Sequence, residues 1–267
     1  MAFIAALVAA ATFLPGFMPY ASGPNGGEVL SGPIPGTERP GFVYLPPGFS
    51  EGEHYRTVYL LHGMPGSPSE FVSGAGLLTW ADPAIAAGTV PPFLAVMPAA
   101  GPAPKYNGEW AGPWERALVD DVVPWADTHL PTIAARNARV LAGISAGGFG
   151  AIDIALRNPG LFGTVESWSG YFEPLRDGPF KHASRAVLDA NDPVLLARPA
   201  APRLRSDGTR FFLSTGPYHS HWFRPAQTVD FARELHGLGV RERLVRVAQA
   251  KGEYRVQLAD GLGWALS

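Results

Sequence analysis

The stretch from Ala138 to Arg157 constrains the fold more than any other part of the chain. Ala138–Gly143 is an apolar run of strand length, and Ala146–Arg157 carries the apolar spacing of a helix. Between them stands Gly143-Ile144-Ser145-Ala146-Gly147. A serine flanked in this way by two glycines suits a sharp strand-to-helix turn, because residues without side chains let the two backbone arms pass close together. The serine then projects beyond the sheet edge at a helix N-terminus, where free N–H groups and the helix dipole favour developing negative charge.

The same alternation extends over most of the chain. Phe42–Leu45, Thr57–Leu61, Phe93–Met97, Gly163–Trp168, Arg210–Ser214 and Glu242–Val247 read as strands. Arg116–Leu130, Thr228–Leu238 and Tyr254–Leu266 read as helices, the first kinked or restarted at Pro124. Short apolar strands separated by helices predict an α/β fold, a mostly parallel sheet with helices on both faces. The 267 residues suffice for one large domain, expected from Gly41 to Ser267.

Ahead of that domain, Ala2–Tyr20 carries no charge, and the first charged residue is Glu28. Residues 1–23 are expected to be an exported or membrane-anchoring N-terminus, and 24–40, rich in Gly and Pro, a linker. The chain is then secreted or associated with the cell envelope, with membrane contact through that end. It is cytoplasmic if the start codon is mis-chosen. No Lys or Arg precedes the apolar run, and Pro15-Gly16 interrupts it.

Composition removes several functions. The 21 basic and 23 acidic residues leave a net charge of −2, which does not fit a nucleic-acid binder. Without cysteine there is no disulfide, thiolate nucleophile or cysteine-based metal centre. Gly147-Gly148 is no phosphate loop, because no Lys-Ser/Thr pair follows it.

A second informative element is Leu60-Leu61-His62-Gly63-Met64-Pro65-Gly66. A strand ending in His-Gly ahead of a glycine-containing loop is where this architecture forms the other half of an oxyanion hole. The N–H of Met64 would join that of Ala146. His62 precedes the nucleophile strand and reads as a packing or hydrogen-bonding residue.

Together with Phe42-Val43-Tyr44-Leu45-Pro46-Pro47-Gly48-Phe49, Asn158-Pro159-Gly160-Leu161-Phe162 and Ser167-Trp168-Ser169-Gly170, these motifs resemble the putative-esterase family of α/β-hydrolases. That family includes esterase D type enzymes, feruloyl esterases and antigen 85 mycolyltransferases. The resemblance runs from about Gly41 to the C-terminus. It implies the α/β-hydrolase fold and acyl transfer from a small-molecule or lipid-like ester, through Ser145, to water or another hydroxyl. It implies neither metal nor organic cofactor.

The remaining family positions are altered. A serine hydroxyl needs a base, and the base needs a carboxylate to orient it. In family order the acid follows the strand at 210–214, yet Thr215-Gly216-Pro217-Tyr218 holds none. The histidine follows the last strand, where its slot falls on Gln249, and no histidine occurs after His236. Three readings follow. His219 or His221 supplies the base, with Asp177, Asp207 or Glu253 behind it; or Lys251 does so, if burial lowers its pKa; or the chain is a catalytically inactive binding protein of the cell envelope. His219-x-His221 also has metal-ligand spacing, but without an evident third ligand. Trp110 and Trp114 read either as walls of an acyl pocket or as packing residues. Glu115 is expected to favour a helix N-terminus and Asp120-Asp121 to face solvent.

Overall fold

The computed structural model describes residues 14–102, 107–217 and 224–267. Among them a nine-stranded sheet runs in the order β1-β2-β3-β5-β4-β6-β7-β8-β9. The strands are β1 (Met18–Ser22), β2 (Glu28–Gly32), β3 (Gly41–Leu45), β4 (Arg56–Leu61), β5 (Phe93–Met97), β6 (Arg139–Ile144), β7 (Thr164–Trp168), β8 (Arg210–Thr215) and β9 (Arg241–Arg246). The first three pair antiparallel, and β3 pairs antiparallel with β5. From β5 to β9 every neighbouring pair is parallel.

The helices are α1 (Leu77–Ala86), α2 (Pro113–Arg116), α3 (Val123–His129), α4 (Ala146–Arg157), α5 (Arg185–Asp189), α6 (Pro193–Asp207), α7 (Pro225–Gly237) and α8 (Glu253–Leu266). Alternate residues of each central strand enter opposite layers, as the pleat requires. Tyr59 and Leu61 join the core that includes Leu118, Val122, Ile152 and Leu204. Val58 and Leu60 join the one that includes Leu77, Leu78, Leu258 and Leu262. Burial on both faces accounts for the uninterrupted apolar runs in β4, β5 and β6.

The helix expected over 116–130 is a composite. Between α2 and α3 lies a π-helical segment, Ala117–Val122, which runs directly into α3, and Pro124 stands just past that junction. Asp120 and Asp121 are exposed. Helix α6 contains Pro199 and Pro202, and is begun by Asp192, whose side chain accepts from the N–H groups of Val194 and Leu195 at 3.0 and 3.3 Å.

The expected boundary at Gly41 needs correction. The sheet already includes β1 and β2, and Leu14 and Phe17 are buried in its core. The presumed linker 24–40 therefore contains a paired strand, and at least 14–23 of the presumed leader belongs to the fold. A buried carboxylate explains the anchoring: Asp82 on α1 accepts from Asn25 N–H at 3.2 Å, Gly27 N–H at 2.9 Å and the Tyr44 hydroxyl at 3.0 Å. The rest of the presumed leader, 1–13, lies outside the described residues. Among those described, no helix is long and apolar enough to cross a membrane.

The two ends of the sheet differ. β1 carries Pro19 and a register shift between Pro19 and Ala21, whereas β9 reads Arg-Glu-Arg-Leu-Val-Arg.

Candidate active site

Ser145 sits between β6 and α4 with φ 54° and ψ −114°, a conformation that side-chain-bearing residues rarely adopt. Local hydrogen bonds hold it there: its N–H donates to the Trp168 carbonyl at 2.9 Å, and its own carbonyl accepts from Phe149 N–H at 3.0 Å. The flanking glycines answer to contacts. A Cβ on Gly147 would lie 1.8 Å from the Leu61 carbonyl oxygen, and one on Gly143 2.2 Å from the Gly147 oxygen. Any side chain at either position would force β4, β6 and α4 apart. Ser145 itself is partly exposed at the carboxyl ends of the parallel strands.

The loop after β4 borders the serine. A Cβ on Gly63 would sit 3.4 Å from Ser145 Cβ. Ala100 N–H donates to His62 Nε2 at 3.0 Å, which leaves the Nδ1 proton to reach the Gly63 carbonyl at 2.8 Å. Burial pushes the His62 imidazole down to about 4, so it is neutral and structural, as its place before the nucleophile strand suggested. Met64 is partly buried against Ala146 and Phe149 and their neighbours. Sequence reasoning missed Glu70, whose Oε1 accepts the Gly63 N–H at 2.5 Å. Burial raises its carboxyl to about 7, against the lowering effect of that bond.

At the tips of β7 and β8 a second polar group is buried. Ser169, with φ 51°, donates its N–H to the Ser214 carbonyl at 2.8 Å, and its hydroxyl donates to Glu253. Gln257 Nε2 donates to Ser169 Oγ at 2.8 Å and to Glu253 Oε1 at 3.3 Å. Glu253 is 6 % exposed and opens α8. Ser169 directly follows Trp168, whose carbonyl holds the Ser145 N–H, so this carboxylate is built into the same strand tips as the serine.

The other carboxylates considered lie elsewhere. Asp207 ends α6, at the amino ends of the strands, and pairs with Arg203 at 2.7 Å. Asp177 acts on Glu109, whose carboxyl is raised to about 8, first by burial; Tyr171 donates its hydroxyl to Glu109. Glu115 is buried against Arg157 at 2.7 Å and Asn158 at 3.0 Å. His219 and His221 lie outside the described residues. Lys251 and Gln249 are exposed, so the burial that a lysine base would need is missing. Among the described residues, no group of three or more His, Asp or Glu side chains gathers as a metal site.

The pocket-wall reading of Trp110 is corrected. It is 3 % exposed, donates Nε1–H to the His62 carbonyl at 2.9 Å, and meets the imidazole edge-on at 5.2 Å. Trp114 is partly buried against the core that contains Trp110. The Trp110 indole packs because its loop is folded inward against Gly150 of α4, whereas Trp114 stands in α2 and keeps part of its surface.

Comparison with known proteins agrees with this geometry. The family model described as "Putative esterase" matches residues 32–255. The esterase Rv1288 of Mycobacterium tuberculosis (strain H37Rv) is 31% identical over 205 residues, covering 68% of this chain and 44% of that protein. An endo-1,4-beta-xylanase/feruloyl esterase of Xylanibacter ruminicola is 34% identical over 135 residues, covering 45% of this chain and 18% of that one. This chain thus spans less than half the length of these curated relatives. Among solved structures, a ferulic acid esterase superposes with a TM-score of 0.76 at 20% identity, covering 90% of this chain and 98% of the other. An S-formylglutathione hydrolase from Agrobacterium tumefaciens does so with 0.71 at 17% identity, covering 94% and 98%. These neighbours share the α/β-hydrolase fold. With a matched family model over most of its length and a serine turn of the required geometry, the chain belongs to the putative-esterase family.

Proposed function

We propose that the protein is a serine hydrolase of carboxylic esters. The observation that carries this reading is the strained backbone of Ser145 at the first turn of α4, over two glycines that nothing larger can replace. Ser145 Oγ adds to the ester carbonyl carbon while its proton passes to a base. The oxyanion is met by the N–H groups of Met64 and Ala146; as first residue of α4, Ala146 has no intrahelical acceptor for its N–H. Collapse breaks the bond to the alcohol, which leaves with the proton, and water or another hydroxyl then takes the acyl group from Ser145.

For the base we propose His219 or His221, which stand four and six residues after the end of β8 in the sequence. Glu253 is the carboxylate suited to orient it: it is buried at the tips of β7 and β8, held by Ser169 and Gln257. The names of the relatives, ferulic acid esterase and S-formylglutathione hydrolase, support an ester or thioester substrate.

The test is fluorophosphonate labelling of the folded protein, followed by mass spectrometry of the Ser145 peptide, with hydrolysis of short 4-nitrophenyl esters measured beside it. Labelling at Ser145, and loss of nearly all turnover in Ser145→Ala with Tm unchanged within a few degrees, is expected. A folded protein that neither labels nor turns over is instead a binding protein on a hydrolase fold. Gln249 at the family's histidine position is the feature that favours that outcome.

A further inference from the structure

Where the amino ends of the parallel strands meet the end of α8, three arginines converge. Arg56 opens β4, Arg210 opens β8 and Arg241 opens β9. Arg210 and Arg241 are register partners in neighbouring parallel strands, about 4.8 Å apart, so their side chains leave the sheet on the same side. Arg56 shares its side of the sheet with Val58 and Leu60, and Arg210 shares its own with Phe212, all packed in the layer of α8. The guanidiniums of Arg56 and Arg210 meet at one oxygen: Arg56 Nη1 and Arg210 Nη2 both donate to the Ala265 carbonyl, at 3.4 and 2.9 Å. Arg210 is fixed further by Thr164, whose Oγ1 accepts from its Nε at 3.3 Å and its Nη2 at 3.0 Å, and it lies 4.7 Å over the Trp264 ring.

Capping α8 does not account for all of this charge. One cation suits the last carbonyls of a helix, yet here two share one carbonyl. The third, Arg241, is exposed and, among the described residues, has neither hydrogen bond nor ion pair; Arg243 follows it on the same side in the same condition. No carboxylate among the described residues pairs with Arg56, Arg210 or Arg241. Glu166, whose charge favours the Arg210 cation, is fully buried and holds Trp168 Nε1. Burial first, then Arg241 and Arg56, lower the Arg210 guanidinium from its ordinary pKa, so the like charges are close enough to oppose one another.

We propose that Arg56, Arg210 and Arg241 form a site for a dianionic phosphoryl group, carried by a soluble phosphate ester or by a lipid headgroup. A carboxylate fills one guanidinium fork; a phosphoryl group brings three acceptor oxygens and about twice the charge, and so can bridge several. Its binding relieves a repulsion that the empty cluster has to carry. The cluster stands at the opposite end of the strands from Ser145, so the inference does not depend on the hydrolase reading.

The experiment is calorimetric titration of the full chain with inorganic phosphate at low ionic strength. A Kd on the order of 1 mM or below is expected. Acetate at matched ionic strength should bind at least about tenfold more weakly. Arg241→Gln should weaken phosphate binding at least about fivefold with Tm within a few degrees of wild type, because the side chain is exposed. Arg241→Lys should keep part of the binding, and Arg198→Gln, which removes an exposed arginine of α6, should keep all of it. Phosphate binding no tighter than that of acetate, or unmoved by Arg241→Gln, overturns the proposal. Glycerol phosphate and vesicles containing phosphatidate then separate the two sources. Retention on the vesicles that Arg241→Gln abolishes assigns a lipid headgroup, and binding of glycerol phosphate without retention assigns a soluble ester. Failure of both overturns the site as well.

Discussion

The carboxylate of Glu253 fills the space that a side chain on Gly216 would need: a Cβ there would come within 2.0 Å of Glu253 Cδ. This carboxylate thus reaches the tip of β8 from the first turn of α8. A side chain at position 216 would displace the Glu253 carboxylate that lies across it.

Glu253→Gln keeps a hydrogen-bond acceptor for Ser169 but cannot balance a positive imidazolium. A fall in kcat of at least about 10²-fold is expected, with Tm within a few degrees of wild type. Gly216→Ala should lose activity comparably by displacing the carboxylate, and should also lower Tm. Steady-state kinetics beside thermal melts separate the two, and full turnover in Glu253→Gln would place the acid elsewhere.

Glu70 holds the Gly63 N–H and so positions the loop that carries the Met64 N–H. Glu70→Ala should lower kcat about tenfold with KM little changed, whereas Glu70→Gln, which retains an acceptor, should recover most of that loss. The carboxyl, raised to about 7 by burial, is neutral below that pH and negative above it, one residue from the proposed oxyanion donor Met64 through its bond to Gly63. Wild-type kcat/KM should therefore decline as pH rises through about 7, and Glu70→Gln should remove the decline. Full pH–rate profiles of both variants provide the check.

Glu166 on β7 is fully buried; Trp168 Nε1 donates to its Oε2 at 2.9 Å, and among the described residues its Oε1 has no hydrogen-bond partner. Burial raises its carboxyl to about 8. The unfolded chain releases this proton near the ordinary carboxylate pKa, while the folded one keeps it, so this group's contribution to stability falls as pH rises from about 4.5 to about 8. The slope approaches about 1.4 kcal/mol per pH unit within that window. Urea unfolding at pH 5 and pH 8.5 should show Glu166→Gln gaining on the wild type at the higher pH. A difference independent of pH would refute this.

A chain beginning at Gly32 loses β1 and β2 and strips Asp82 of two N–H donors. It should melt at least about 10 °C below a chain beginning at Leu14, or aggregate, because the far edge of β3 and the buried faces of Val43 and Tyr44 become exposed. Equal melting of the two proteins would show the N-terminal hairpin to be dispensable.

The parallel strands were legible because both faces are buried, so apolar residues run without a break through Val58–Leu61 and Phe93–Met97. The turn at Ser145 was legible because its glycines are required by contacts local in sequence. β1 was not: Met18 and Tyr20 are exposed, so the end of the apolar run forms an edge strand without the burial pattern that marks the central ones. Helix α6 was hidden by Pro199 and Pro202, whose local penalty is outweighed by burial of Ala197, Ala201 and Leu204. Glu253 could be named as a candidate acid, but its preference over Asp177 and Asp207 depends on Gly216 and Ser169, which only the tertiary fold brings to it. Glu70 carried no signal, since a single charged residue near a loop looks like ordinary surface until its partner is known.

The unlike ends of the sheet govern what can be added to it. A further strand from another molecule would need a row of free N–H and carbonyl groups in regular spacing. At β1 that row lacks the Pro19 donor and loses its spacing between Pro19 and Ala21; at β9 an incoming copy would bring Arg241, Arg243 and Arg246 against their own kind. Among the described residues, both edges are therefore poor templates for a further strand, which works against growth of the sheet beyond its nine strands.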